Sequence, residues 1–299
     1  MMELKYSEVL KLNKELGNNL KSSSYDITVL SNIIVHQSKE MLEYSLRGEG
    51  INANVKFGDY DNIVQDSKKY QDSNSVIIFW ELCNIIDGLQ YKIELMNNNQ
   101  LNELLEKTKI EIDLVMKNLE KTSLVLMNKF TSLSFSYSKI RKNNLDELAS
   151  HINHYLEENL SENVRLVDIE KVIGSVGFTN SLDMRFFYSS KALYTIDFFK
   201  VYAQFVKPIF MSATGKVKKA LIFDCDNTLW KGILGEDGFD NIEMSKLTNE
   251  GNIFAEIQSM ALAINKQGIL IGLCSKNNPD DVNEVINSHP DMQLKNDNK

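Results

Sequence analysis

Cysteine is scarce in this chain: Cys83, Cys225 and Cys274 are the only three in 299 residues. They lie far apart and none belongs to a C-x-x-C pair, so neither a disulfide framework nor a cysteine zinc site is implied. A reducing cytoplasm is the simplest setting for such a sequence. Long apolar runs are missing as well. The longest have the length of strands, and nothing in the sequence reads as a membrane span. The opening stretch MMELKYSEVLKLNKELGNNL carries charge at helical spacing and has no signal-peptide core. Positive charge is in deficit, with 33 Lys and Arg against 41 Asp and Glu and a formal net charge of -8. That balance excludes the basic surface needed for non-specific binding to nucleic acid or to an anionic membrane. Proline occurs three times only, and no internal repeat or low-complexity tract is visible.

What is present is core-forming material. The chain is 43% hydrophobic and 25% charged, which suits a folded protein of about two domains. Short apolar segments alternate with amphipathic ones. Strands are expected at 26–31, 51–57, 75–82, 123–130 and 164–169, with helices over the first twenty residues and at 36–50, 101–121 and 145–160. This rhythm predicts parallel βαβ units and an α/β sandwich. A helix at 195–216, interrupted at Pro208, closes a first domain of residues 1–214. A second domain begins at Lys218. Its expected elements are a strand KALIFDCD, a helix at 251–268, a strand ILIGLC, a helix in 277–289 and a short third strand at 291–295. In the 277–289 helix Asn278 suits the cap, Pro279 the first turn, and Asp280 and Asp281 the helix dipole.

The chemistry gathers where the first of these strands ends, in LIFDCDNTLW (221–230). Asp224 and Asp226 are two residues apart at the carboxyl end of a strand, where open α/β sheets hold their ligands. Two carboxylates this close repel, and the repulsion grows at the low-dielectric sheet edge, so a bound cation is called for. Mg²⁺ favours oxygen ligands and would bridge to a phosphate. One carboxylate then serves as nucleophile on phosphorus, and the other protonates the leaving oxygen and activates water. Thr228 and Lys231 offer a hydroxyl and a mobile charge just beyond. Ser275 ends the next strand, and its hydroxyl, with Lys276 and the backbone N–H groups of the 276–278 turn, suits a phosphoryl oxygen. The segment 232–245 reads as a small flap. The blander alternative is a solvated polar turn. Strand alternation turns Cys225 into the core, where Cys274 is also expected, and Trp230 is expected at the crevice rim.

These residues resemble the haloacid dehalogenase superfamily, whose first motif is D-x-D-x-[TV] after an apolar strand. The longer strings FDCDNTLWKGILGEDG and LCSKNNPDDV are similar to its FkbH-like group, subclass IIIC, in which an SGNH-like domain comes first. The resemblance covers essentially the whole chain. It implies an SGNH- or flavodoxin-like three-layer sandwich followed by a partial Rossmannoid domain of the same superfamily at 218–299. It implies Asp224 as nucleophile, Asp226 as acid/base, both as Mg²⁺ ligands, and Ser275, Thr228 and Lys276 around the phosphate. A phosphorylated small molecule is the implied substrate, and glyceryl or acyl transfer to an acyl carrier protein an implied outcome. The family's third-motif lysine and fourth-motif acidic pair would fall beyond Lys299, so the chain is expected to be the N-terminal part of a longer enzyme. On its own it would then bind rather than turn over, as a scaffold with two motifs only.

In the SGNH-like part, Ser31 and Asn84 lie near the positions of that fold's serine and asparagine. In SLDMRFFY, Asp183 is present but Phe186 stands where a base histidine belongs. A serine without a base is not activated. The first domain is therefore expected to dock or position ligands, around Ser31, Asn84 and Arg185, rather than to catalyse.

Overall fold

The computed structural model describes residues 3–132 and 143–295. The chain divides into two compact units, Met1–Lys216 and Val217–Lys299.

The first unit is built on five strands: β1 (Tyr25–Ser31), β2 (Ala53–Phe57), β3 (Ser75–Phe79), β4 (Leu124–Asn128) and β5 (Val164–Val167). All pair in parallel, in the order β2-β1-β3-β4-β5. Every residue of β3 and β4 is buried, so helices must cover both faces of the sheet. Helices Tyr6–Asn19, Ser38–Arg47, Ile169–Val176 and Ile196–Ala213 pack together as one group, and Ile63–Lys69, Asn98–Asn118 and Asn144–Glu158 as the other. The result is the three-layer α/β sandwich that the alternating pattern predicts.

Short helices escape the periodic pattern: Ile63–Lys69 and Ile169–Val176, of seven and eight residues, are too brief to display a 3.6-residue period clearly. The expected break at Pro208 does not occur, and the helix runs unbroken from Ile196 to Ala213. Proline there removes one backbone hydrogen bond. The stripe Phe198, Tyr202, Val206 and Phe210, spaced by four residues and wholly buried, holds the helix through it.

The strand order reverses between β1 and β3, so their carboxyl ends form the switch point at which sheets of this kind open a crevice. Ser31 lies there, in register with Phe79.

The second unit has β6 (Ala220–Phe223) and β7 (Leu270–Leu273), parallel neighbours joined through the helix Gly251–Asn265, with the helix Pro279–Ser288 after β7. One face packs on a core of Cys225, Leu229, Trp230, Ile271, Val285 and Ile286. On the other, Ile222 and Leu270 are 59% and 61% exposed. The expected strand at 291–295 is not formed. Met292 and Leu294 are buried, but the Gln293 N–H donates to Gln258 Oε1 at 2.8 Å, which takes the bond a ladder would need. Cys274 does not join the core as expected: it is exposed, because β7 ends at Leu273 and alternation ceases to apply. Among the described residues no helix is long and apolar enough to cross a membrane.

Candidate functional site

In the second unit the backbone leaves β6 at Phe223 and turns sharply. Leu229 N–H donates to the Cys225 carbonyl at 2.8 Å, and Thr228 N–H to the same oxygen at 3.2 Å. The turn places Asn227 at φ 53°, a left-handed conformation that asparagine tolerates better than most residues. Asn227 Oδ1 then accepts from Gly232 N–H at 3.1 Å and ties the turn to the segment that follows. That segment closes on itself through the backbone pair Lys231–Glu243, at 2.8 and 3.0 Å, with a single helical turn at Leu234–Asp237 inside it. The expected flap is thus a pinned loop.

This turn puts the two aspartates in different surroundings. Asp224 is exposed, and its Oδ1 accepts one hydrogen bond, from Cys225 N–H at 2.8 Å. Asp226 is partly buried and accepts three. Trp230 Nε1 and Leu234 N–H donate to Oδ1 at 3.0 and 3.1 Å, and Asn277 Nδ2 donates to Oδ2 at 2.8 Å. A carboxylate offers about four lone-pair sites. Asp224 keeps most of them open, while Asp226 is held in one orientation with about one left.

The second strand supplies the other side. Ser275 follows β7, and its Oγ accepts from Asn277 N–H at 3.2 Å, so the hydroxyl proton points elsewhere and is available to an oxygen ligand. A hollow of about 330 Å³ lies beside it, lined by Leu273, Cys274, Ser275, Asn277, Pro279 and Val282. Asn278 caps the helix Pro279–Ser288 by accepting from Asp280 N–H at 3.1 Å. Among the sequence-predicted residues, Asp226 and the Ser275 turn are brought together, through Asn277. Lys276 is exposed in that turn. Thr228 stands in the β6 turn, partly buried, with no hydrogen bond to its hydroxyl among the described residues. Lys231 points away and pairs with Glu250. Trp230 is not at a rim but fully buried, with its indole N–H spent on Asp226. The sequence reading missed this indole and the Asn277 amide. The signal for Asn277 was in LCSKNNPDDV, where an asparagine after a strand reads as ordinary turn chemistry.

The donor chemistry fits a hard divalent cation. Among the described residues no cluster of three metal-binding side chains exists. Mg²⁺ is commonly held by one or two carboxylates, with waters and phosphate oxygens filling its shell. Asp224, with its open lone pairs, and the remaining site of Asp226 match that requirement.

At the switch point of the first unit the polar side chains are satisfied internally. Ser31 Oγ donates to the Ile33 carbonyl at 2.6 Å. Asn84 Nδ2 donates to the Asn32 carbonyl and to Tyr60 Oη, which uses both of its protons. Asp183 caps the helix Met184–Ser190 through Phe186 N–H at 3.0 Å, and Phe186 is 57% exposed. Arg185 is exposed and forms no ion pair among the described residues. Asn32 clasps the backbone of Glu81 from both sides, at 2.7 and 2.8 Å. Glu81 itself is buried, and among the described residues its carboxyl has one hydrogen-bond partner, the Tyr194 hydroxyl, which donates at 2.8 Å. Burial pushes its carboxyl up to about 7, against the lowering effect of that hydroxyl. Burial also drives the Cys83 thiol well above its usual range, with Glu81 adding to the effect, so Cys83 is no nucleophile.

Both units are thus open parallel α/β sheets with polar residues at their strand ends. Over its whole length the chain has the fold of a solved protein, the N-terminal part of BF1531 from Bacteroides fragilis, which contains a phosphatase domain and was complexed with Mg. The TM-score is 0.73 at 20% identity, over 99% of this chain and 80% of that one. More distant structures match in part. The salicylyl-acyltransferase SsfX3 of a tetracycline biosynthetic pathway aligns with 65% of this chain and 56% of its own (12% identity, TM-score 0.40). The lipase Lip_vut3 from a goat rumen metagenome aligns with 61% and 96% (10% identity, TM-score 0.43). No family model matches the chain, and no curated protein matches it.

Proposed function

We propose that the protein processes phosphoryl groups on a small phosphorylated molecule, as a Mg²⁺-dependent phosphatase-like enzyme of the FkbH-like kind. The observation that carries this reading is the unequal pair of carboxylates at the end of β6. Asp224, exposed and lightly bonded, is disposed to attack phosphorus and form an aspartyl-phosphate. Asp226, fixed by three N–H donors, is disposed to hand a proton to the leaving oxygen and to take one from the water that follows. Ser275 would donate its hydroxyl proton to a phosphoryl oxygen, with exposed Lys276 adding positive charge beside it. Asp224 and Asp226 would hold the cation, which offsets the charge of carboxylate and phosphate together. The chain's fold likeness to a phosphatase-containing protein complexed with Mg supports this reading.

With Mg²⁺ and beryllium fluoride, fluorine NMR is expected to show an adduct in the wild type and none in Asp224→Asn. An adduct that survives in Asp224→Asn removes the nucleophile assignment. Glyceryl or acyl transfer to an acyl carrier protein is the finer form of the proposal and rests on the string FDCDNTLWKGILGEDG. It is tested by following label from a glyceryl phosphate donor onto a carrier protein. One observation favours a second reading, a binding or scaffold role: among the described residues Lys231, the lysine beside the motif, is committed to Glu250. Adduct formation without turnover of an aryl phosphate would select it.

A further inference from the structure

The crevice between β6 and β7 is crossed by one continuous run of hydrogen bonds, and a single residue makes both of its links. Asn277 N–H donates to Ser275 Oγ at 3.2 Å, and Asn277 Nδ2 donates to Asp226 Oδ2 at 2.8 Å. On the far side of the carboxylate, the buried Trp230 indole and Leu234 N–H hold Oδ1. We infer that Asn277 is a positioning residue: through its backbone it orients the Ser275 hydroxyl, and through its side chain it fixes the rotation of Asp226, so that phosphate-binding group and acid/base keep a set separation. The inference rests on the proposed phosphoryl chemistry for its catalytic meaning.

The physical argument concerns rotation about the Asp226 side-chain bonds. Both N–H groups on Oδ1 come from one side, the turn and the loop that follows it. Two donors on one oxygen locate that oxygen but leave the second free to swing about it. The third donor, arriving from the other strand's loop, stops the swing. A carboxylate that must reach a leaving oxygen within hydrogen-bond distance loses rate when it swings. Aspartate at 277 would place a charge against Asp226 Oδ2 where a donor stood. Alanine would simply remove the donor.

The chain contains two tryptophans, Trp80 and Trp230, so in a Trp80→Phe background the emission of Trp230 reports on its bond to Asp226. In that background, Asn277→Ala is expected to shift Trp230 emission, and to weaken binding of Mg²⁺ with beryllium fluoride about 10-fold or more, as loss of a ligand's supporting partner does. Asn277→Asp is expected to do worse on both counts. The exchange Asp226→Asn with Asn277→Asp swaps donor and acceptor across the same gap. It should bring Trp230 emission back towards that of the wild type while turnover stays lost. Emission and affinity unchanged in Asn277→Ala would overturn the positioning role. A wild type that binds neither Mg²⁺ nor beryllium fluoride would instead overturn the proposed function, and the emission shift would still decide whether the clamp exists.

Discussion

Glu81 sits at the end of β3 with its carboxyl wholly out of water and one hydroxyl, that of Tyr194, to hold it. Its folded-state value of about 7 lies above the ordinary 4.5, so the folded chain keeps a proton that the unfolded chain releases. The contribution is therefore most favourable below pH 4.5. It declines as pH rises towards 7 and stays lost above that, by about 3 kcal/mol at roughly 1.4 kcal/mol per pH unit. Glu81→Gln keeps an acceptor for Tyr194 and removes the ionisation. Urea denaturation is expected to show the variant more stable than the wild type at pH 8 and nearly equal to it at pH 4.5. A wild-type stability that does not fall between these pH values would contradict the buried, protonated Glu81. Ser31 allows a second test at this scale. Its hydroxyl is spent on the Ile33 carbonyl and no histidine stands at 186, so a fluorophosphonate probe should leave it unlabelled. Ser31→Ala should leave phosphoryl turnover unchanged and cost about 1 kcal/mol of stability for the lost bond. Labelling that disappears in Ser31→Ala would mean a second active site. In the other unit, Asp226→Asn should slow turnover by about 10²–10⁴-fold because acid/base help is lost, and should weaken adduct formation at Asp224 without abolishing it, because the nucleophile remains.

Among the elements, the strands were legible because burial on both faces turns them into short apolar runs, as VIIF in β3 and LVLM in β4 show. The long helices were legible by period, and one by its cap, since Asn278 closes the start of Pro279–Ser288 as its sequence foretold. The box in which Asn97 and Gln100 exchange bonds starts Asn98–Asn118 three residues before the expected 101. Asn278→Ala should therefore lower the stability of the second unit by about 1 kcal/mol, read from its own thermal transition. What escaped the sequence was decided by tertiary contacts. Pro208 is tolerated because a buried aromatic stripe passes through it. Residues 291–295 have a strand's alternation, yet a glutamine side chain on a neighbouring helix takes the ladder bond. The candidate site divides the same way. Asp224, Asp226 and Ser275 could be placed from strand ends and spacing. The partners Trp230, Leu234 and Asn277 could not, since their roles depend on how two loops approach each other in space.

Taken whole, the molecule joins two units with unequal interiors. The first buries a continuous aromatic and aliphatic core on both sides of five strands, and the second rests on one face of two. Small sheets of this kind draw little stability from their ladder alone. Calorimetry is expected to resolve two transitions, the lower belonging to the second unit. Mg²⁺ with beryllium fluoride should raise the lower transition and leave the upper where it is, by about 2.7 kcal/mol when ligand stands at 100 times its dissociation constant. A single transition that moves as one with ligand would show that the units unfold together.

The bare side of β6 and β7 has a consequence for the solution as much as for the molecule. Ile222 and Leu270 face water there, and among the described residues each strand keeps one row of backbone groups unpaired. Such an edge is a template for another strand. The excess of acidic residues sets molecules against one another over a distance of about 10 Å at 0.1 M salt, which keeps these faces apart. Salt should therefore act on this protein in the direction opposite to its action on a charge-paired dimer. As ionic strength rises the repulsion is screened while apolar attraction is not, and light scattering should report growing association. Ile222→Lys should delay its onset to higher salt.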